Sequence, residues 1–103
     1  MCYAKRNKIT RMIQTFRCKH TEALYTGSSP KRFQAFKAQA QRKLEMLDAA
    51  RVIEDLRDPP SNRLEKLIGD RAGHWSIRIN GQWRVCFEWH DSQCWNVEIV
   101  DYH

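Results

Sequence analysis

From Trp75 onward the large apolar side chains fall on odd positions: Trp75, Ile77 and Ile79, then Trp83, Val85, Phe87 and Trp89, then Trp95, Val97 and Ile99. A period of two marks strands with one buried face. Three strands are expected, at 75–79, 83–89 and 95–102. Arg78, Arg84, Cys86, Glu88 and Tyr102 fall on the opposite face. A sheet with one dry side needs a second layer to cover it, and this constrains the rest of the chain.

Asn80-Gly81 marks a hairpin. A two-residue turn there would set Ile77 opposite Arg84, an apolar residue beside a charge. Matching the apolar face instead pairs Ile79 with Trp83 and Ile77 with Val85, which calls for a three-residue loop or a bulge around Asn80–Gln82. The same register places Arg78 opposite Arg84. Two guanidiniums across a ladder repel each other unless an anion or solvent separates them.

The covering layer comes from the first half. Residues 12–17, MIQTFR, read as a short strand. Ser29 suits a helix N-cap and Pro30 the first turn. Phe33, Phe36, Ala40, Leu44 and Leu47 recur at steps of three and four, so one helical face runs from about 30 to 47. Asp48 is expected to cap a second, shorter helix that packs Val52, Ile53 and Leu56 inward and ends at Pro59-Pro60. Residues 61–73 read as an irregular or partly extended connector. The expected fold class is α+β, with two helices on one face of a small, mostly antiparallel four-stranded sheet.

The chain has 103 residues, room for one domain and one core. Its formal charge is +6. Residues 1–11 hold Lys5, Arg6, Lys8 and Arg11 and no acid, leaving 14 basic and 12 acidic residues in 12–103. Most of the net charge is thus a short basic arm, read as an extension ahead of a single domain at 12–103. Met12 is a candidate natural start. No apolar stretch is long enough to span a membrane, and MCYAKRNKITR lacks the apolar core of a signal peptide, so a cytoplasmic location is expected. Cysteines at 2, 18, 86 and 94 have no CxxC spacing, and no histidine pair has helical ligand spacing. That does not fit a structural zinc site. Cys86 reads as a small buried hydrophobe.

The tryptophans between 75 and 95 share a parity, which favours core packing over base stacking; Trp89 and Trp95 are the ones expected to show an edge. His20, His74 and His90 lie in connectors and read as surface residues. His103 has company. A last strand antiparallel to 83–89 brings residues 101–103 close to Arg84, and the connector with Arg63, Glu65, Lys66 and Arg71 can fold over the same face. Metal-free RNA cleavage by the substrate's own 2′-hydroxyl needs a base, an acid for the departing 5′-oxygen, and cations for charge building on the phosphate. His103 can serve as acid or base near neutral pH. Glu65 is a second candidate base, and Arg84 a permanent cation with bidentate geometry.

The stretch NRLEKLIGDRAGHWSIRINGQWRVCFEW, followed by VEIVDYH, resembles the HigB toxins, or plasmid-maintenance killer proteins, of the RelE superfamily. The similarity runs from Met12 to His103 and is strongest from Pro60 on. It implies a toxin of a type II toxin–antitoxin pair that cuts mRNA in the A site of the 70S ribosome without metal or other cofactor. It implies a HigA-type helix-turn-helix antitoxin as partner, with DNA reached only through that antitoxin and no membrane role. By the same resemblance, Arg84, Asp101, Tyr102 and His103 are functional positions. Glu65 completes the candidate catalytic set, with Lys66, Arg71, Arg78 and Arg63 as RNA contacts. Two positions depart from the family pattern: Glu65, where His also occurs, and Ile68, where many members carry Lys. The alternative reading is a catalytically weakened RNA- or protein-binding module of a toxin–antitoxin repressor complex.

Overall fold

The computed structural model describes residues 12–67 and 73–101. Among the described residues, two α-helices, α1 (Lys19–Tyr25) and α2 (Lys37–Ala49), lie against a four-stranded antiparallel sheet. Its strands are β1 (Glu65–Lys66), β2 (His74–Arg78), β3 (Trp83–His90) and β4 (Gln93–Asp101), in the order β1-β2-β3-β4. Ile77, Val85, Phe87, Val97 and Ile99 form the floor of the core, and Leu24, Phe33, Phe36, Ala40, Leu44, Leu47 and Leu56 close it from above. The five apolar positions expected on the long helical face are thus all buried.

That face begins differently from the expectation. Lys31–Phe36 is a 3₁₀ turn, opened by the Phe33 N–H donating to the Pro30 carbonyl at 3.0 Å. A 3₁₀ turn brings residues three apart onto one side, and Phe33 and Phe36 both meet the Trp83 ring, at centroid distances of 5.8 and 5.1 Å. Ser29 does not cap; its hydroxyl accepts from the Lys37 ammonium instead.

The helix expected after Asp48 is a single 3₁₀ turn, Ile53–Arg57. Asp55 closes it by accepting from the backbone N–H groups of Arg51 (2.9 Å) and Val52 (3.3 Å). Leu56 is buried as expected, but Val52 is 52% exposed. The second α-helix is α1, in a stretch read as connector. It buries only Thr21 and Leu24, too few positions for a periodic signal.

Residues 12–17 are not a regular strand. They touch β4 through two parallel bridges, Ile13 to Cys94 and Phe16 to Val97. Four backbone hydrogen bonds of 2.8–3.1 Å link Met12, Gln14, Thr15 and Arg17 to Cys94 and Val97. The Thr21 hydroxyl accepts from the Ile99 N–H at 3.0 Å, so helix and segment together satisfy the outer edge of β4. Asp48, near the end of α2, holds the segment in place. Its Oδ1 accepts from the N–H groups of Met12 and Ile13, both at 3.0 Å, and its Oδ2 from the Tyr25 hydroxyl. Asp48→Ala is expected to destabilise the fold by about 3 kcal/mol, because two N–H groups lose a charged acceptor at once. A thermal melt should drop by roughly 10–20 °C.

The first hairpin follows the expected register: Ile77 pairs with Val85 and Arg78 with Arg84. The loop is Asn80–Gln82, with the Ile79 N–H donating to the Trp83 carbonyl at 2.9 Å. Asn80 Oδ1 accepts from the N–H groups of Gln82 and Trp83 at 2.8 and 2.9 Å, an Asx turn.

In β4 the expected parity holds for Val97 and Ile99 but fails before Asn96. The ladder slips between Cys86–Glu98 and Glu88–Trp95, and Asn96 takes a left-handed φ of 51°. One extra residue inverts the faces of everything before it. Cys94 occupies the core, and Trp95 lies on the opposite face, stacked on His90 with centroids 5.1 Å apart and rings 7° from parallel. Trp75, Trp83 and Trp89 pack against the core as expected.

Candidate functional site

The sheet face away from the helices carries three cross-strand rows. Glu65, Ser76, Cys86 and Glu98 form one, Arg78, Arg84 and Val100 the next, and His74, Glu88 and Trp95 the third. Strand alternation selects these residues, and the bulge at Asn96 adds Trp95.

Arg84 is the centre. It is 7% exposed, and a buried guanidinium needs acceptors. Nε donates to the Ser76 hydroxyl at 2.9 Å. Nη2 donates to the Arg63 carbonyl at 2.6 Å and to the Ser76 carbonyl at 3.3 Å. Glu65 Oε1 stands 3.8 Å from Nη2, and its side chain is exposed. The connector thus folds over the sheet as expected, but it holds Arg84 with a main-chain carbonyl. Arg84 therefore turns toward Ser76 and the connector. Arg78 reaches back over its own hairpin, its Nη2 3.9 Å from where a β-carbon at position 81 would stand. This divergence relieves the repulsion between the paired arginines.

Lys66 goes elsewhere. It pairs with Trp75, and its ammonium lies 5.7 Å from that ring centroid, on the helix side of β1. The Arg63 side chain is exposed. Asp101 pairs with Trp83, one step from Arg84, and its Oδ2 accepts from Gln82 Nε2 at 2.9 Å. The approach of β4's end to the start of β3 is therefore as expected. Ile68, Arg71, Tyr102 and His103 lie outside the described residues.

Further cations border this face. Lys43 of α2 donates to Asn62 Oδ1 at 2.5 Å. Burial, and then Arg42 and Arg78, lower its pKa below the ordinary lysine value. At the far end, Glu88 accepts from Asn96 Nδ2 at 2.7 Å and stands within 3.3–3.7 Å of His74, Arg17 and His90. The Asn96 bond, and then those three groups, hold its carboxyl below the usual glutamate range. His74, read as a connector residue, opens β2 and is largely covered. Among the described residues no group of three His, Cys, Asp or Glu side chains is placed to hold a metal ion. No helix there is long and apolar enough to cross a membrane.

Sequence reasoning did not single out Ser76, Asn62, Lys43, Gln82 or the Arg63 carbonyl. Ser76 was within reach, because it shares the even-numbered face and stands diagonally from Arg84 once the hairpin register is set. The others depend on how loops fold back, which periodicity does not encode.

Two helices over a four-stranded antiparallel sheet is a fold shared with a solved YoeB-YefM complex from Staphylococcus aureus. That likeness has a TM-score of 0.51 and 19% identity over 88% of this chain and 97% of that chain. A family model described as the RelE-like toxin of the type II toxin-antitoxin system HigB matches residues 14–103. The chain belongs to this HigB-like toxin family. It is 50% identical over 58 residues to Toxin HigB-1 of Vibrio cholerae serotype O1, covering 56% of this chain and 61% of that protein. It is 33% identical over 61 residues to Endoribonuclease HigB of Proteus vulgaris, covering 59% and 65% respectively. The matched stretch thus spans less than two thirds of either relative's length.

Proposed function

We propose that this chain is an endoribonuclease toxin that cuts mRNA in the A site of the ribosome, using the RNA 2′-hydroxyl as nucleophile. The observation that carries this reading is the Arg84 guanidinium, fixed on the sheet face away from the helices one pair from the end of β4. Membership of the HigB-like family supports it. In this reading Arg84 stabilises charge on the phosphate. His103 moves a proton, with Glu65 as the second candidate. Tyr102 orients or stacks on substrate, and Asp101, held by Gln82, steadies the strand end. Arg78, Arg63 and Arg71 supply cationic contacts to RNA, without Lys66, which lies on the helix side of β1. A HigA-type helix-turn-helix antitoxin masks the toxin and carries any DNA contacts, and the site of action is the cytoplasm.

The test is induced expression with and without the product of the neighbouring gene, followed by mapping of mRNA 5′ ends. New 5′ ends within translated regions, suppressed when the neighbour is co-expressed, are the expected result. A second reading, a binding module that does not cleave, has the 7% exposure of Arg84 in its favour. Growth arrest without new 5′ ends would select it.

A further inference from the structure

The Arg84 guanidinium is held by a main-chain carbonyl, so whatever aims that carbonyl also aims the guanidinium. Arg63 has φ 45° and ψ 57°, a left-handed conformation that L-residues with a β-carbon avoid. Its N–H donates to the Pro60 carbonyl at 3.0 Å, closing a one-turn 3₁₀ helix, Pro60–Asn62. The strained conformation directs the Arg63 carbonyl at Nη2, at 2.6 Å. The Arg63 side chain itself is exposed.

Asn62 is the residue that fixes this turn. It is 0% exposed, and both ends of its amide are used. Nδ2 donates to the carbonyls of Leu56 (3.1 Å) and Asp58 (3.4 Å), joining the turn to the segment before it. Oδ1 accepts from the Lys43 ammonium at 2.5 Å, joining it to α2. The backbone N–H donates to the Pro59 carbonyl at 2.9 Å. A buried amide with this many partners leaves the turn little freedom. Consecutive residues thus engage a cation from each layer: Asn62 takes Lys43 from the helix, and Arg63 takes Arg84 from the sheet.

We propose that Asn62 is a positioning residue for Arg84: its buried amide, braced by Lys43, locks the 60–63 turn so that the Arg63 carbonyl fixes the guanidinium for the phosphate. The proposal rests on the role given to Arg84 above, and the experiment separates the two. Single-turnover cleavage of ribosome-bound mRNA is measured for wild type, Asn62→Ala, Arg84→Ala and the double variant, at a temperature where all four are folded by circular dichroism. Asn62→Ala should cut on the order of tenfold more slowly at saturating ribosomes, with little change in the ribosome concentration needed for half-maximal rate. In the Arg84→Ala background the same change should have no further effect, because it acts through the missing group. The ¹⁵Nε–H resonance of Arg84 should also exchange with solvent faster in Asn62→Ala than in wild type. Should Asn62→Ala not fold, Lys43→Met, which removes the cation from Asn62 Oδ1, is read in the same way.

A wild-type rate in the folded variant, or an equal loss with and without Arg84, would overturn the proposal. If instead Arg84→Ala cuts like wild type, the role of Arg84 fails. The exchange rate then still reports whether Asn62 holds the guanidinium.

Discussion

Replacing His103 with alanine is expected to slow single-turnover cleavage of ribosome-bound mRNA by about 10²–10⁴-fold, the usual worth of a general acid or base. Strand β4 carries the chain to Asp101 beside Trp83, with Val100 paired to Arg84. His103 follows two residues later in sequence. An imidazole can give or take a proton near neutral pH. Ribosome affinity and the thermal melt should stay near wild type, and the limb of the pH–rate profile that reports the imidazole should flatten. A His103→Ala protein that cuts at the wild-type rate would move the proton transfer to another group, with Glu65 next in line.

Arg84→Ala should produce a loss of ~10²–10³-fold in the same assay, the scale seen when a transition-state donor is removed. It should also lower stability by about 1–3 kcal/mol, because the Ser76 hydroxyl and the Arg63 carbonyl lose their buried donor. The two effects are separable. The rate is compared below both melting temperatures, and the melt is recorded by circular dichroism. Arg84→Lys sharpens the test. It keeps the charge but cannot reach Ser76 and Arg63 with a planar fork, so it should recover less than a tenth of the lost rate. Equal cutting by wild type and Arg84→Ala would remove Arg84 from the chemistry.

Much of this frame was legible in the chain itself. Odd parity placed Ile77, Val85, Phe87, Val97 and Ile99 in the core. The clash between Ile77 and Arg84 in a two-residue turn pointed to the Asn80–Gln82 loop, and steps of three and four placed Phe33 through Leu47. Each of these signals is local and repeated several times. Other features lacked that redundancy. α1 has two buried residues, and β1 has two residues in all, so neither generates a period. Asn96 is one polar residue whose left-handed backbone inverts the faces, and nothing before it marks Trp95 as the side chain that leaves the core. Asp48 and Asp55 are both plausible caps by residue type. Their actual partners, Met12, Ile13 and Tyr25 for one and Arg51 and Val52 for the other, depend on which chain segments lie nearby. At the candidate site the residue types were legible. One of the groups holding Arg84, the Arg63 carbonyl, was not, because a main-chain carbonyl has no letter in the sequence.

Residues 12–17 impose a condition on any partner that binds by adding a strand. The edge of β4 is already engaged along Cys94–Val97, and the Thr21 hydroxyl takes the Ile99 N–H beyond it. This segment behaves as a docked peptide supplied by the chain itself. An invading strand must first displace it, breaking four backbone bonds and its attachment to Asp48. Asp48 is therefore a latch on sheet growth as well as a source of stability. In Asp48→Ala, loosened copies should recruit one another through the uncovered edge, so turbidity on heating should rise with protein concentration.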